Sequence, residues 1–155
     1  MYADNNLIVA GGVSAAGVVT AQTPATSGST LSTNTIDLGQ NRDPGEGLDL
    51  FLRAQTLTAY LGLTSLEIQA VTADDAGLST NLTVIGTTGA IPLASLTVGS
   101  RFVCELNPRI GSKGQRYLGA RFVVVGTSTA GASFVDFGIE IQDGQKFYPN
   151  GFALL

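Results

Sequence analysis

Few groups in this chain could do chemistry. There is no His, and Cys104 is the single cysteine. Imidazole does most general acid–base work near neutral pH, and clustered His and Cys make most transition-metal sites, so the usual routes to catalysis are thin. The remaining candidates are carboxylates. Glu67, Glu105 and Glu140 sit in segments of alternating polarity, and two carboxylates across a cleft can hydrolyse a glycoside. Each falls on the face opposite the apolar residues, where solubility alone asks for charge. No Trp is present to stack on a sugar; Tyr60, Tyr117 and Tyr148 are the aromatic rings that could replace it.

The loops offer ligand sets that fail on spacing. Asp37, Asp43 and Glu46 could present oxygen to Ca²⁺, but their order matches no ion-binding loop, and Arg42 supplies a competing cation. Asp74-Asp75-Ala76-Gly77 lacks the alternating acids and terminal Glu of an EF-hand. Gly111-Ser112-Lys113-Gly114 has the glycines of a phosphate cradle without the Gly-Lys-Ser/Thr order, and a strand-like segment follows it. Cys104 alternates with Phe102 and Leu106 and reads as a small core residue. The expectation is therefore no catalytic residue, no cofactor and no metal; the chain is not expected to be an enzyme. One local asymmetry stands out. Arg109, Lys113 and Arg116 fall within eight residues in a chain with eight cations in all. With Arg42 and Asp43, they are the candidates for a contact patch against another protein surface.

The bulk properties point the same way. At 155 residues the chain is long enough for one domain with a sizeable core. Charged residues are 13% of it, against roughly 25% in an ordinary soluble domain. A surface so poor in charge suits a chain that covers part of itself with copies or partners. The net charge is −4 and no basic run occurs, so no direct nucleic-acid partner is expected. No apolar run reaches the ~18 residues of a membrane span. The segment from Leu7 to Val19 is apolar, but Asp4 precedes it and the first basic residue is Arg42, which is not the order of a secretory signal. A lone cysteine fits a reducing compartment.

The elements that would position these residues are strands. Residues 1–30 read as a low-complexity N-terminal arm, with Leu7–Val9 able to pair as an edge strand, and 31–155 as the domain proper. Thr33–Leu38 is a first strand, followed by a long Gly/Pro turn over 39–47. Leu48, Leu50 and Leu52 alternate with Asp49, Phe51 and Arg53. Leu66, Ile68 and Ala70 alternate with Glu67, Gln69 and Val71 up to Asp74-Asp75. Asn81–Ile85 is short. Phe102, Cys104 and Leu106 share a face, as do Leu118, Ala120, Phe122 and Val124, and then Val135, Phe137, Ile139 and Ile141. Period-two alternation of this kind gives half-buried strands. Thr56–Leu63 and Ile91–Leu96 could each hold one helical turn. The expected fold is all-β: an eight-stranded antiparallel jelly-roll sandwich with an extended N-terminal arm.

Four segments carry a resemblance. Asn34-Thr35-Ile36-Asp37-Leu38-Gly39 with Arg42-Asp43, Ser65–Asp74 (SLEIQAVTAD), Ala90–Gly99 (AIPLASLTVG) and Arg116–Val125 (RYLGARFVVV) together resemble the capsid cement (decoration) protein family of tailed phages, as found on a Bordetella podophage. The resemblance spans roughly 34–125. It implies a jelly roll on the outer surface of an icosahedral virion capsid, made in the host bacterial cytoplasm and bridging copies of the phage major capsid protein. It also implies a homo-oligomer, with a dimer favoured over a trimer, and it brings no catalytic residues. In that setting Arg42, Asp43, Arg109, Lys113 and Arg116 are candidates for the capsid or subunit interface. The alternative from another class is a carbohydrate- or receptor-binding jelly-roll module of a phage tail; a carboxylate-based glycosidase is third.

Overall fold

Two strands of unusual length organise the molecule. In the computed structural model, which describes residues 5–42, 50–106 and 115–138, Phe51–Ala73 and Gln115–Gly138 are each one unbroken strand, of 23 and 24 residues. In chain order the strands are β1 (Ile8–Ala10), β2 (Gly12–Val13), β3 (Val19–Thr20), β4 (Gly28–Leu31), β5 (Ile36–Arg42), β6 (Phe51–Ala73), β7 (Thr83–Thr87), β8 (Ile91–Pro92), β9 (Arg101–Glu105) and β10 (Gln115–Gly138). All pairings are antiparallel, in one eight-stranded sheet plus the small β2–β3 hairpin. The fold is all-β, as the alternation predicts.

β6 and β10 pair from Phe51↔Gly138 to Ala73↔Tyr117, and the register slips between Val125 and Ser133. This ribbon bends there, so its two halves become the centres of two layers. In one layer the order is β9, β6 (51–56), β10 (133–138), β1. In the other, β7 and β8 flank β6 (65–73), and β4 and β5 flank β10 (115–125). One core joins the layers: Val9, Leu52, Ala54 and Phe137 from the first pack with Leu66, Ile68, Leu118 and Phe122 from the second. Burial of side chains of this size stabilises by about 1.5–3 kcal/mol each before entropy is counted.

The bend corrects two expectations. Thr56–Leu63 is strand rather than a helical turn, and the expected separate strands 117–125 and 135–142 are one strand as far as Gly138. The physical reason lies in the residues at the corner. No Pro interrupts either ladder, and Gly62 (φ 83°) and Gly131 (φ 135°) adopt backbone angles that side-chain-bearing residues avoid. A glycine bend lets a ladder curve without ending. A Cβ on Gly62 would lie 2.6 Å from the Thr127 carbonyl oxygen, and one on Gly131 would lie 2.1 Å from the Tyr60 ring. Ile91–Leu96 does contain a helical turn, the 3₁₀ segment Leu93–Ser95.

Residues 5–31 follow the outer edge of β10. Val9 and Ala10 are fully buried. Gln22 exchanges backbone hydrogen bonds with Ser133, and Ser128 N–H donates to Thr26 at 2.7 Å, so this stretch turns the corner alongside the ribbon. The Gln22 side chain holds the stretch together by donating to the Leu31 carbonyl (2.8 Å) and accepting from Thr33 N–H (2.9 Å). The sandwich is closed along both sides. Asn34 N–H donates to the Val9 carbonyl on one, and on the other a Cβ on Gly86 would meet the Glu105 carbonyl at 2.9 Å.

A second, smaller cluster forms outside the main core. Val71, Ala73 and Leu78 pack with Leu31, Val84 and Tyr117 beneath the loop after β6. Asp75 shapes that loop: its carboxylate accepts from the N–H groups of Gly77, Ser79 and Thr80 and from the Ser79 hydroxyl. Alternation predicts an outward-facing Asp136, yet it is completely buried, paired through two hydrogen bonds with Arg53 directly opposite it on β6.

Candidate interaction surface

Of the five candidate interface residues, the described structure places Arg116 completely and Arg42 by its backbone alone. Asp43, Arg109 and Lys113 lie outside the described residues. The ladder brings Arg42 opposite Gln115, the residue before Arg116, at the ends of β5 and β10. Gln115 is anchored there. It accepts from the Thr72 hydroxyl (2.5 Å) and donates to the Asn81 carbonyl (2.6 Å), which ties the start of β10 to the loop after β6.

The partner of Arg116 is Asp37, one ladder position away on β5. The guanidinium donates through Nε and Nη2 to the two carboxylate oxygens, both at 2.7 Å. Its carbon also lies 5.2 Å from the centre of the Tyr117 ring, within cation–π range. The forked geometry suits Arg to a carboxylate better than Lys. The Arg116 hydrogen bonds, helped by the Gly39 N–H, hold the Asp37 carboxyl down to about 2. Asp37 in turn pushes Arg116 upward. The two side chains are 44% and 46% exposed, so the pair fixes geometry more than it adds stability.

Sequence reasoning placed Asp37 in an acidic turn and missed this role, because its partner lies 79 residues away. No local pattern reports a cross-strand pair; the missing information was the β5–β10 register.

Of the three carboxylates weighed for catalysis, Glu67 is committed elsewhere. Glu67 accepts from the Thr87 hydroxyl and the Gln69 amide, each at 2.7 Å. The Thr87 bond, then the Gln69 bond, lower its pKa, the opposite direction from a general acid. Glu105 shows no hydrogen bond to such a partner, and Glu140 lies outside the described residues. Among the described residues no three acidic, His or Cys side chains converge as a metal site. The Cys104 thiol is buried, and that burial raises its pKa. Tyr60, one of the rings weighed for sugar stacking, is 2% exposed with its hydroxyl 2.9 Å from Ser133 Oγ; burial pushes it up to about 12. Tyr117 is packed into the second cluster, and Tyr148 lies outside the described residues.

The family model Bbp16 matches residues 13–137, a span running from the β2–β3 hairpin to the end of β10. No curated protein matches the chain.

Proposed function

Since the chain belongs to the Bbp16 family, a phage-related family, we propose that it is a capsid cement (decoration) protein. It binds the outer surface of an icosahedral phage head and bridges neighbouring major capsid proteins. The observation that carries this reading is the family match, which takes in both layers of the sandwich. The winding supports it. β6 and β10 each run through both layers of an all-β antiparallel sandwich, the class of fold that the cement reading calls for. So does the chemistry, in which exposed groups are poised for contact rather than for reaction.

In this role the work is mechanical. Each copy adds contacts across a boundary between shell subunits, and all must break before the shell opens. Two tethered contacts gain from effective concentration, so modest ones suffice when repeated around a lattice. The protein acts as a homo-oligomer, a dimer before a trimer. The test is co-sedimentation of purified protein with shells stripped of it: saturable binding at a fixed ratio to the shell subunit is expected, and absence of binding refutes the assignment.

A further inference from the structure

Among the described residues, the charges avoid one end of the molecule. Four connecting segments gather at the bent end of the ribbon: 11–27, 57–64, 88–100 and 126–132. Their meeting is fixed by pairing. Tyr60 N–H donates to the Leu96 carbonyl, Gly99 N–H to Thr56 and Ser128 N–H to Thr26, while Leu61 lies opposite Ala130. None of the four contains a single Asp, Glu, Lys or Arg. Arg101 directly follows the third segment, and Glu67 lies three residues past the second. The same end exposes aliphatic side chains, with Leu61 at 57%, Val98 at 67% and Val125 at 52%. Toward the opposite end, where Glu105 stays exposed, most of the described charges are satisfied internally. Arg116 and Asp37 take each other, Asp75 accepts four hydrogen bonds from its own loop, and Asp74 accepts from Asn81.

We infer that the uncharged bent end is the surface that seats on the shell, and that its occupant is an uncharged, aliphatic and hydroxyl-bearing patch of the major capsid protein. This rests on the cement reading and says which end of the molecule performs it. Losing water costs least where there is no ion to strip, and exposed aliphatic groups gain by it. The partner patch must lack charge as well, because an ion buried against this end would find no counter-ion in any of the four segments. Ion pairs at the other end have spent their hydrogen bonds internally and offer a partner less.

The test measures binding to stripped shells for the wild-type protein, Val98→Glu, Val125→Lys and Arg116→Ala, with thermal melts and solution mass of each. The two new charges fall at exposed positions, so all four proteins fold alike. Wild-type binding is expected to vary little with salt. Val98→Glu and Val125→Lys are each expected to weaken it by about a hundredfold, the cost of burying an unpaired ion, and Arg116→Ala to change it by less than about threefold. Loss of binding in Arg116→Ala with Val98→Glu unaffected overturns the inference and leaves the cement reading standing. A change in solution mass in Val98→Glu with shell binding intact also overturns it, by making this end a contact between copies. A wild-type protein that ignores shells removes both.

Discussion

Replacing Gly131 by Ala tests how the ribbon turns its corner. The new Cβ would stand 2.1 Å from Tyr60 Cδ1 and 2.4 Å from Cγ. These atoms are at the root of a ring that is 2% exposed and hydrogen-bonded to Ser133, so it cannot swing aside. Two costs add: forcing a side chain into the φ 135° conformation, about 1–3 kcal/mol, and overpacking the core, about 1–3 kcal/mol. A loss of about 4 kcal/mol is a large part of the 5–15 kcal/mol that holds a domain folded. It lowers Tm by roughly 8–16 °C in a chain of this size. Gly17 is the matched control: its φ of 76° is also positive, but a Cβ there meets nothing within 4 Å. Gly17→Ala therefore carries conformational strain alone, about 1 kcal/mol. Thermal unfolding followed by circular dichroism compares the two. Equal melting temperatures for Gly131→Ala and Gly17→Ala would refute the packed-corner argument. A smaller loss for Gly131→Ala in a Tyr60→Ala background would confirm that the ring is the obstacle.

Other perturbations follow from the buried and exposed ion pairs. Arg53→Met leaves Asp136 buried without its partner and is expected to destabilise by about 3–5 kcal/mol in urea unfolding; a change below about 1 kcal/mol would mean that Asp136 is solvated. By carboxyl-carbon NMR, Asp37 should titrate near 2, and Arg116→Ala should raise it toward the ordinary carboxylate value, with the Gly39 N–H still holding it below that value. Because its folded pKa lies below the unfolded value, the stabilisation is present above about pH 4 and is lost as pH falls through the folded pKa; an unchanged midpoint in Arg116→Ala would show that the pair does not form. The Cys104 thiol, buried and raised in pKa, should react with a thiol reagent only on unfolding. Rapid stoichiometric labelling of the folded protein would contradict that burial.

Much of the fold is legible in the sequence, because strand periodicity is a local signal. Leu66-Ile68-Ala70 and Leu118-Ala120-Phe122-Val124 face the core as their alternation requires. What escaped depends on distant register. Thr56–Leu63 reads as a possible helical turn because its apolar residues do not alternate cleanly, yet it continues a ladder whose partner lies some seventy residues on. Asp136 was assigned to solvent because period two gives only the face; that Arg53 would stand opposite it needed the pairing. The candidate patch around Arg116 was legible in part. The concentration of cations near Arg116 was visible, but its pairing with Asp37 was not. The convergence of the charge-free segments is a property of the bend, which no local pattern reports.

The most direct test of the central claim is the stability of the shell itself. Shells stripped of this protein, and the same shells after add-back, are heated or exposed to osmotic shock while release of their contents is followed. The cement assignment predicts that stripping lowers the bursting temperature and that saturating add-back restores it. Bound protein that leaves the bursting temperature unchanged would contradict it.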